Sequence, residues 1–249
     1  MRDDCELLTL PAGRATAAAP ANPSGATVIP FPSGTARRPA RPVATAVTAA
    51  AISRVTDLVT SALEPRSAGH PPTHLACLGA LAGFAAQQSL LVAGGAAWVQ
   101  PARAGHLDRL LLSETPSDAS LWHALRGAAH GVGAQHLPDP QKLLAATLRC
   151  VGTTQLGRIT LPLEYRLHEQ PQSTLVQLWP RMSGCLEALQ MPAVAWPRLL
   201  ADAAARRVVL EHSHIPPHVA LRVVMQSALA MALVEPRVIP GAATKPGGV

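Results

Sequence analysis

The chain has 249 residues and a formal net charge of +6, but its composition argues against a nucleic-acid-binding protein. Only two of its 21 basic residues are lysines, the arginines are mostly scattered singly, and aromatic residues make up 3% of the chain. A surface that follows phosphates needs clustered positive charge, and single-strand binding adds aromatic stacking platforms. Nucleic acid is therefore not an expected partner.

The two ends of the chain have compositions typical of disordered segments. Residues 1–46 are rich in Pro and Ala, and Ala buries too little apolar area to offset the entropy of ordering such a segment. Pro236, Pro240 and the closing glycines mark a second such segment at residues 236–249. We therefore expect a disordered N-terminal tail, a helical domain over residues 47–235 and a disordered C-terminal tail.

The start of the chain and its cysteines favour the cytoplasm. The first six residues are acidic on balance, and no apolar stretch typical of a signal peptide follows. The four cysteines show no CxxC pair and no spacing typical of a disulfide framework. Free cysteines within apolar helical patterns suit a reducing compartment.

The first two predicted helices differ in how much of their surface is apolar. Residues 47–64 carry apolar side chains on one helical face, and Pro65 is expected to end that helix. The second helix, at about residues 73–91 with Thr73 as its N-cap, is apolar on nearly every side. A helix that is apolar all round belongs in the centre of a core.

The apolar run that contains the second helix raises a membrane alternative. Residues 75–100 carry no charge and are long enough to cross a bilayer. A Gln-Gln-Ser triplet at 87–89 and a glycine pair at 94–95 interrupt the run, and its many Ala and Gly residues insert weakly. A buried core helix is favoured and a membrane is not an expected partner, with membrane association through residues 75–99 as an alternative.

The middle of the chain contains two clear helices after a stretch that the pattern leaves open. Residues 96–99 favour a short strand, and residues 105–112 either pair with it or begin a helical turn. Ser117 is expected to cap the next helix. The helix after that has Asp139 as its N-cap, Pro140 at its first position and an apolar stripe comprising Leu143, Leu144, Thr147, Leu148 and Val151.

The second half of the chain completes the predicted fold. Residues 159–168 alternate between apolar and polar side chains, which predicts an extended segment that Pro162 confines to an edge or a loop. Helical patterns return at Ser173, at Trp196 and at residues 217–233, the last apolar almost all round. The predicted fold is mainly α: a single domain of about seven helices packed around two apolar central helices. One short β-hairpin or extended edge segment is left open as an addition.

Three histidines fall within seven residues of the loop before the last helix. His212, His214 and His218 have the short-range spacing that metal sites use, with further ligands supplied from elsewhere in a fold. They define a candidate metal site. The two prolines in the loop, and the lack of an acidic or cysteine partner at a recognisable spacing apart from Glu211, favour a solvated loop instead. No cofactor is expected.

A polar segment between two helices is the second candidate site. Glu164, Tyr165, Arg166 and His168 lie close together there, and loops held on a rigid scaffold are where binding groups tend to lie. The same alternation is typical of a solvent-exposed face, which is the favoured interpretation.

One cysteine has a histidine at helical spacing. His74 and Cys77 lie one turn apart and could form a thiolate–imidazolium pair. Any helix start with a nearby cysteine gives that spacing, so packing of Cys77 is favoured. The chain also lacks the GxSxG, HExxH, Walker A and dinucleotide-binding motifs. These observations lean against an enzyme.

Four segments within residues 74–236 carry a resemblance to a known family. In chain order they read HLACLGALAGFAAQ, SLWHALRGAAHGVGAQHLPD, LVQLWPRM and VMQSALAMALVEP. In the order of these landmarks the chain resembles an uncharacterised family of helical bacterial proteins. The resemblance implies a single helical domain and no particular activity.

The residues together favour a non-catalytic, cytoplasmic helical protein. Such a protein acts by associating with a protein partner or with itself as a homo-oligomer. A metal-binding protein or enzyme that uses the histidines of residues 212–218 is one alternative, and a membrane-associated protein is another.

Overall fold

Eight helices make up most of the chain that the structure describes. It is a computed structural model, and the described residues are 42–67, 69–94 and 101–242. The helices are α1 Pro42–Ser67, α2 Pro71–Gly94, α3 Pro101–Leu111, α4 Leu121–Gly131, α5 Pro140–Leu148, α6 Pro171–Ala188, α7 Trp196–Glu211 and α8 Pro217–Ala232. Short 3-10 turns lie at Pro116–Asp118, Leu163–Tyr165, Ala193–Ala195 and Pro236–Val238. The mainly α fold is confirmed, with α3 as a helix that the sequence pattern left undecided.

Prolines and a capping carboxylate set where the helices begin. A proline stands in the first turn of α2, α5, α6, α7 and α8, where its missing N–H removes no helical hydrogen bond. The predicted cap of α5 is confirmed. The Asp139 carboxylate accepts backbone hydrogen bonds from Gln141 at 2.9 Å and from Lys142 at 3.3 Å.

The predicted cap of α4 is wrong by three residues. Ser120 rather than Ser117 caps this helix, and its hydroxyl accepts a hydrogen bond from the His123 backbone N–H at 3.0 Å. Ser117 lies in the preceding 3-10 turn. Ala119 separates the two elements because its φ of 52° is left-handed, which ends the turn before the helix starts.

The boundary between α1 and α2 also differs from the prediction. α1 continues through Pro65 to Ser67, since a proline in the last turn removes a single backbone hydrogen bond. α2 begins at Pro71, so Thr73 lies in its first turn rather than at its N-cap. The Thr73 hydroxyl bonds to other groups instead.

The described residues extend beyond the predicted domain at both ends. α1 begins at Pro42, and Pro236–Val238 forms a 3-10 turn with Ile239 buried behind it. The rest of the two predicted tails, residues 1–41 and 243–249, lies outside the described residues.

The predicted extended segment forms no strand. Residues 158–162 are irregular, and Leu163–Tyr165 is a 3-10 turn. No strand exists among the described residues to pair with it, and a lone strand has no ladder of hydrogen bonds to hold it. Residues 105–112 fall almost entirely within α3, and the predicted strand at 96–99 lies outside the described residues.

Two helices with touching backbones form the centre of the core, as predicted. A Cβ atom at Gly79 would overlap the backbone of Val224, and one at Gly83 would overlap the backbone of Ala228. Residue numbers rise together along both helices, so α2 and α8 run parallel. Only glycine lets two helix backbones approach this closely.

A buried glutamine joins the same two helices at their C-terminal ends. The Gln87 side-chain amide donates hydrogen bonds to the carbonyls of Ala232 at 2.9 Å and Val234 at 2.8 Å. Carbonyls at the end of a helix have no backbone partner, so Gln87 acts as a cap supplied by a neighbouring helix. This contact accounts for one of the polar residues that interrupt the apolar run.

The remaining helices surround this pair. α7 packs against α2, α4 and α1, while α6 packs against α2 and α1. Trp179 of α6 meets Phe84 of α2 edge to face, with 4.7 Å between ring centroids, and Trp196 of α7 at 6.1 Å. Edge-to-face pairs of this kind add to the stabilisation from buried area.

Helix α2 is the one described helix that is long and apolar enough to cross a membrane. Its residues Pro71–Val92 have a mean hydropathy of 1.6, and 83% of this stretch is buried inside the structure. The surrounding helices therefore cover the apolar surface that a bilayer would otherwise cover.

Candidate functional site

The structure separates the four residues of the predicted polar binding segment. Glu164 and Arg166 are exposed and form no ion pair with any described residue. Tyr165 is half-buried and packs against the core. Of the four, only His168 contacts other polar side chains, because Leu167 beside it is buried and holds the backbone against α2.

His168 is attached to the start of α2 through two contacts. Its ring stacks on the ring of His70, with 3.9 Å between centroids and 13° between planes. Its backbone N–H donates a hydrogen bond to the Thr73 hydroxyl at 3.1 Å, and that hydroxyl also bonds to His70 Nδ1 at 2.9 Å. Sequence patterns missed this cluster because 95 residues separate Thr73 from His168.

Ionic and polar contacts involve residues next to the two stacked rings. Arg66 at the end of α1 lies 3.9 Å from Glu169 and also donates to the Gln177 side chain of α6. In α7, Arg207 pairs with Glu211 at 2.5 Å, and both side chains are largely buried. The loop after Tyr165 is thus held by Thr73 of α2 and by Arg66 of α1, which also bonds to α6.

His74 lies in the interior next to this cluster. It is 1% exposed, and neither ring nitrogen has a hydrogen-bond partner among the described residues. Burial, together with the smaller effects of the nearby Arg207 and His70, lowers the pKa of His74 from 6.5 to about 4. His74 is therefore neutral at physiological pH.

The thiolate–imidazolium pair suggested by the spacing of His74 and Cys77 is not supported. Cys77 is fully buried, and burial raises the pKa of its thiol to about 12, with Glu169 acting in the same direction. A thiol with this pKa carries almost no thiolate at pH 7, and His74 carries almost no positive charge. Cys77 packs as a small apolar residue.

Alkylation should distinguish Cys77 from the other cysteines. In folded protein at pH 8 we expect iodoacetamide to label Cys77 roughly a thousandfold more slowly than an unperturbed cysteine, because the thiolate is the reacting form. Cys150 and Cys185 are partly exposed and should react first. Mass spectrometry of tryptic peptides measures both rates. Labelling of Cys77 as fast as Cys150 would contradict this assignment.

The three histidines predicted as a metal site lie around the start of α8. His212, His214 and His218 are exposed, and His212 Nδ1 bonds to the Val209 carbonyl at 2.7 Å. Within residues 42–67, 69–94 and 101–242, no group of three or more His, Cys, Asp or Glu side chains is arranged to hold a metal ion. The spacing of the histidines in the sequence could not show whether the fold brings a group of ligands together.

The structure also contains an apolar groove that was not predicted from the sequence. It has a volume of about 180 Å³ and lies between α3, α5 and α8. Its walls are almost entirely aliphatic and comprise Leu107, Leu111, Leu112, Leu144, Leu148, Leu229, Ala232 and Leu233, with Asp108 at the edge. We call this surface the leucine groove.

Two residues of the predicted apolar stripe are exposed, and one of them, Leu148, lines the leucine groove. Leu148 is 50% exposed at the last position of α5, and Val151 is 47% exposed in the turn after the helix, so the predicted helical stripe extends too far. Leu143 and Thr147 on the same stripe are buried. Helical spacing shows which residues share a face, but it does not show how much of that face another element covers.

A polar depression adjoins the leucine groove and shares Asp108 and Leu112 with it. This depression has a volume of about 440 Å³, and its other walls include Glu114 and the Asp139 cap of α5. Glu114 pairs with Arg126 at 2.9 Å. An apolar centre with a polar edge is the usual organisation of a protein–protein interface.

No known protein family, curated protein or solved structure matches the chain. The resemblance to a family of helical bacterial proteins therefore stays a prediction. We therefore infer function from two features of the described residues. One is the group formed by His70, Thr73 and His168, and the other is the leucine groove.

Proposed function

We propose that this is a non-catalytic, cytoplasmic protein that self-associates through the leucine groove, with a second copy of the chain as the occupant. The observation that carries the proposal is an open aliphatic groove between three helices, with Leu148 on its wall 50% exposed. Exposed apolar patches that have polar edges are typical of association sites. The free cysteines at 77, 150 and 185 are consistent with a reducing compartment.

The shape of the surface favours a second copy over an unrelated partner. Leu148 lines the groove and is 50% exposed, so one surface carries both a projecting aliphatic ridge and a depression. In a two-fold dimer the same surface meets itself, and the ridge of each copy can enter the groove of the other. This arrangement would cover the exposed aliphatic side chains of both copies.

The charges around the groove are also complementary to one another. Asp108 on α3 lies at the edge of the groove, and Arg149 follows Leu148 at the end of α5. Both side chains are exposed, and neither forms an ion pair with another described residue. If a two-fold axis brings Leu148 of one copy to the groove of the other, Arg149 approaches Asp108 across the interface.

Replacing Leu148 with glutamate tests the proposal. We expect Leu148→Glu to weaken dimerisation by at least about tenfold, because an interface that closes over it would bury an unpaired carboxylate. Sedimentation equilibrium over a range of protein concentrations measures the dissociation constant. Since Leu148 is half exposed, the monomer should keep its fold, which circular dichroism can check.

Leu163→Glu is the matched control. Leu163 is 83% exposed, more than Leu148, but it lies in the 3-10 turn before α6 and not in the leucine groove. We expect this variant to dimerise as the unmodified protein does. A chain that stays monomeric at every concentration would overturn the proposal, and so would equal weakening by the two substitutions.

A further inference from the structure

The loop between Leu163 and Gln170 is held at the start of α2 by a pair of histidines. The His70 and His168 rings lie face to face at 3.9 Å, and Thr73 bonds to both residues. We call this arrangement of His70, Thr73 and His168 the histidine latch. It goes beyond the proposed self-association, because it lies at the start of α2 and shares no residue with the leucine groove.

The stacked geometry suits neutral rings and opposes charged ones. Neutral imidazoles attract each other when stacked, whereas two imidazolium ions about 4 Å apart repel. Burial lowers the pKa of His70, and His168 lowers it further. Histidine is the side chain whose charge changes nearest to physiological pH, so acidification changes this contact.

The charges that face the latch from neighbouring elements do not reverse this effect. Glu169 follows His168 on the loop, and one of its carboxylate oxygens lies 3.9 Å from Arg66 of α1. Glu211 of α7 is paired with Arg207. His74 of α2 is buried near His70 and is neutral at physiological pH, and Gln177 of α6 is uncharged. The two carboxylates are matched by two arginines, so added charge on the rings is in excess, although Glu169 Oε2 accepts no hydrogen bond from a described residue.

We propose that the histidine latch holds the loop of residues 163–170 on α2 at neutral pH and releases it on acidification, when positive charge opposes the stack of the two rings. Release breaks the ring stack and the hydrogen bond from the His168 N–H to Thr73. It also exposes the Thr73 hydroxyl and the start of α2, which the loop covers at neutral pH. The latch is thus a pH-sensitive switch between two elements that lie far apart in the sequence.

Amide hydrogen exchange at His168 reports on the latch directly, because this N–H donates the latch hydrogen bond. We expect the NMR protection factor at position 168, corrected for intrinsic exchange, to fall on the order of tenfold more between pH 7.5 and pH 5 than those of α8 amides. The α8 amides lie in the core and report on global unfolding. A fall no larger than theirs would overturn the proposal.

His168→Phe separates charge from packing. An aromatic ring remains to stack on His70, but it cannot be protonated. The protection factor at position 168 should therefore fall no more between pH 7.5 and pH 5 than those of the α8 amides. His212→Phe is the matched control: it removes an exposed histidine outside the latch and should leave the fall at position 168 unchanged. If His168→Phe keeps the full pH-dependent fall, repulsion between the two rings is not its cause.

Discussion

Replacing Gly83 with alanine should lower the free energy of unfolding by roughly 3 kcal/mol. The new methyl group would overlap the carbonyl and Cα of Ala228, which are backbone atoms of α8 and cannot rotate away. The two central helices would have to move apart, and the contacts of the surrounding core would loosen with them. Gly79→Ala should have an effect of the same sign, because its methyl group would meet the backbone of Val224. Urea denaturation followed by circular dichroism measures both changes.

Two other helical glycines serve as controls for this prediction. Gly127 in α4 and Gly184 in α6 have no atom near the position of an added Cβ. Alanine at either site should raise the free energy of unfolding by up to about 1 kcal/mol, because alanine favours the helix more than glycine does. If the free energy of unfolding falls at Gly79 and Gly83 but rises at Gly127 and Gly184, the close approach of α2 and α8 is the cause of the destabilisation. A Gly83→Ala protein as stable as the unmodified chain would contradict the packing described.

Acid should destabilise the protein through His74. Its pKa is about 4 in the folded chain and 6.5 in its ordinary state, so the unfolded chain binds the proton more tightly. The stability that this group contributes is present above pH 6.5 and is lost as the pH falls towards 4. The expected loss from His74 alone between pH 7 and pH 4 is about 3 kcal/mol.

His74→Leu isolates this contribution. Leucine has a similar volume and needs no partner for the two ring nitrogens, so the variant should fold at pH 7. The difference in unfolding free energy between pH 7 and pH 4 should be smaller in His74→Leu by about 3 kcal/mol, while carboxylates contribute equally to both proteins. His212→Leu, at an exposed site, should behave like the unmodified chain. Identical pH profiles for His74→Leu and the unmodified chain would contradict the assignment.

The central helices could be predicted because their pattern depends only on local sequence. α2 and α8 are apolar on nearly every side, and a helix of this kind has to be surrounded by protein. Their mutual register could not be predicted. It depends on Gly83 meeting Ala228, a contact between residues far apart in the chain, and a glycine within a helical pattern does not reveal its partner.

The candidate sites were predicted less well than the helices, for two physical reasons. The histidine latch joins His70 and His168, and only the fold brings them together. The alternation around His168 resembled a strand because Leu167 points inward while its neighbours face solvent. Leu148 was assigned to an apolar stripe, but the pattern does not show that half of this side chain stays exposed.

Concentration-dependent hydrogen exchange tests the claim of self-association through the leucine groove most directly. Exchange of the full chain is followed by mass spectrometry well below and well above the dimer dissociation constant. We expect peptides from α3, α5 and the C-terminal half of α8 to gain protection at high concentration, while peptides from residues 163–170 do not change. Protection confined to other helices, or no change at any concentration, would contradict the claim.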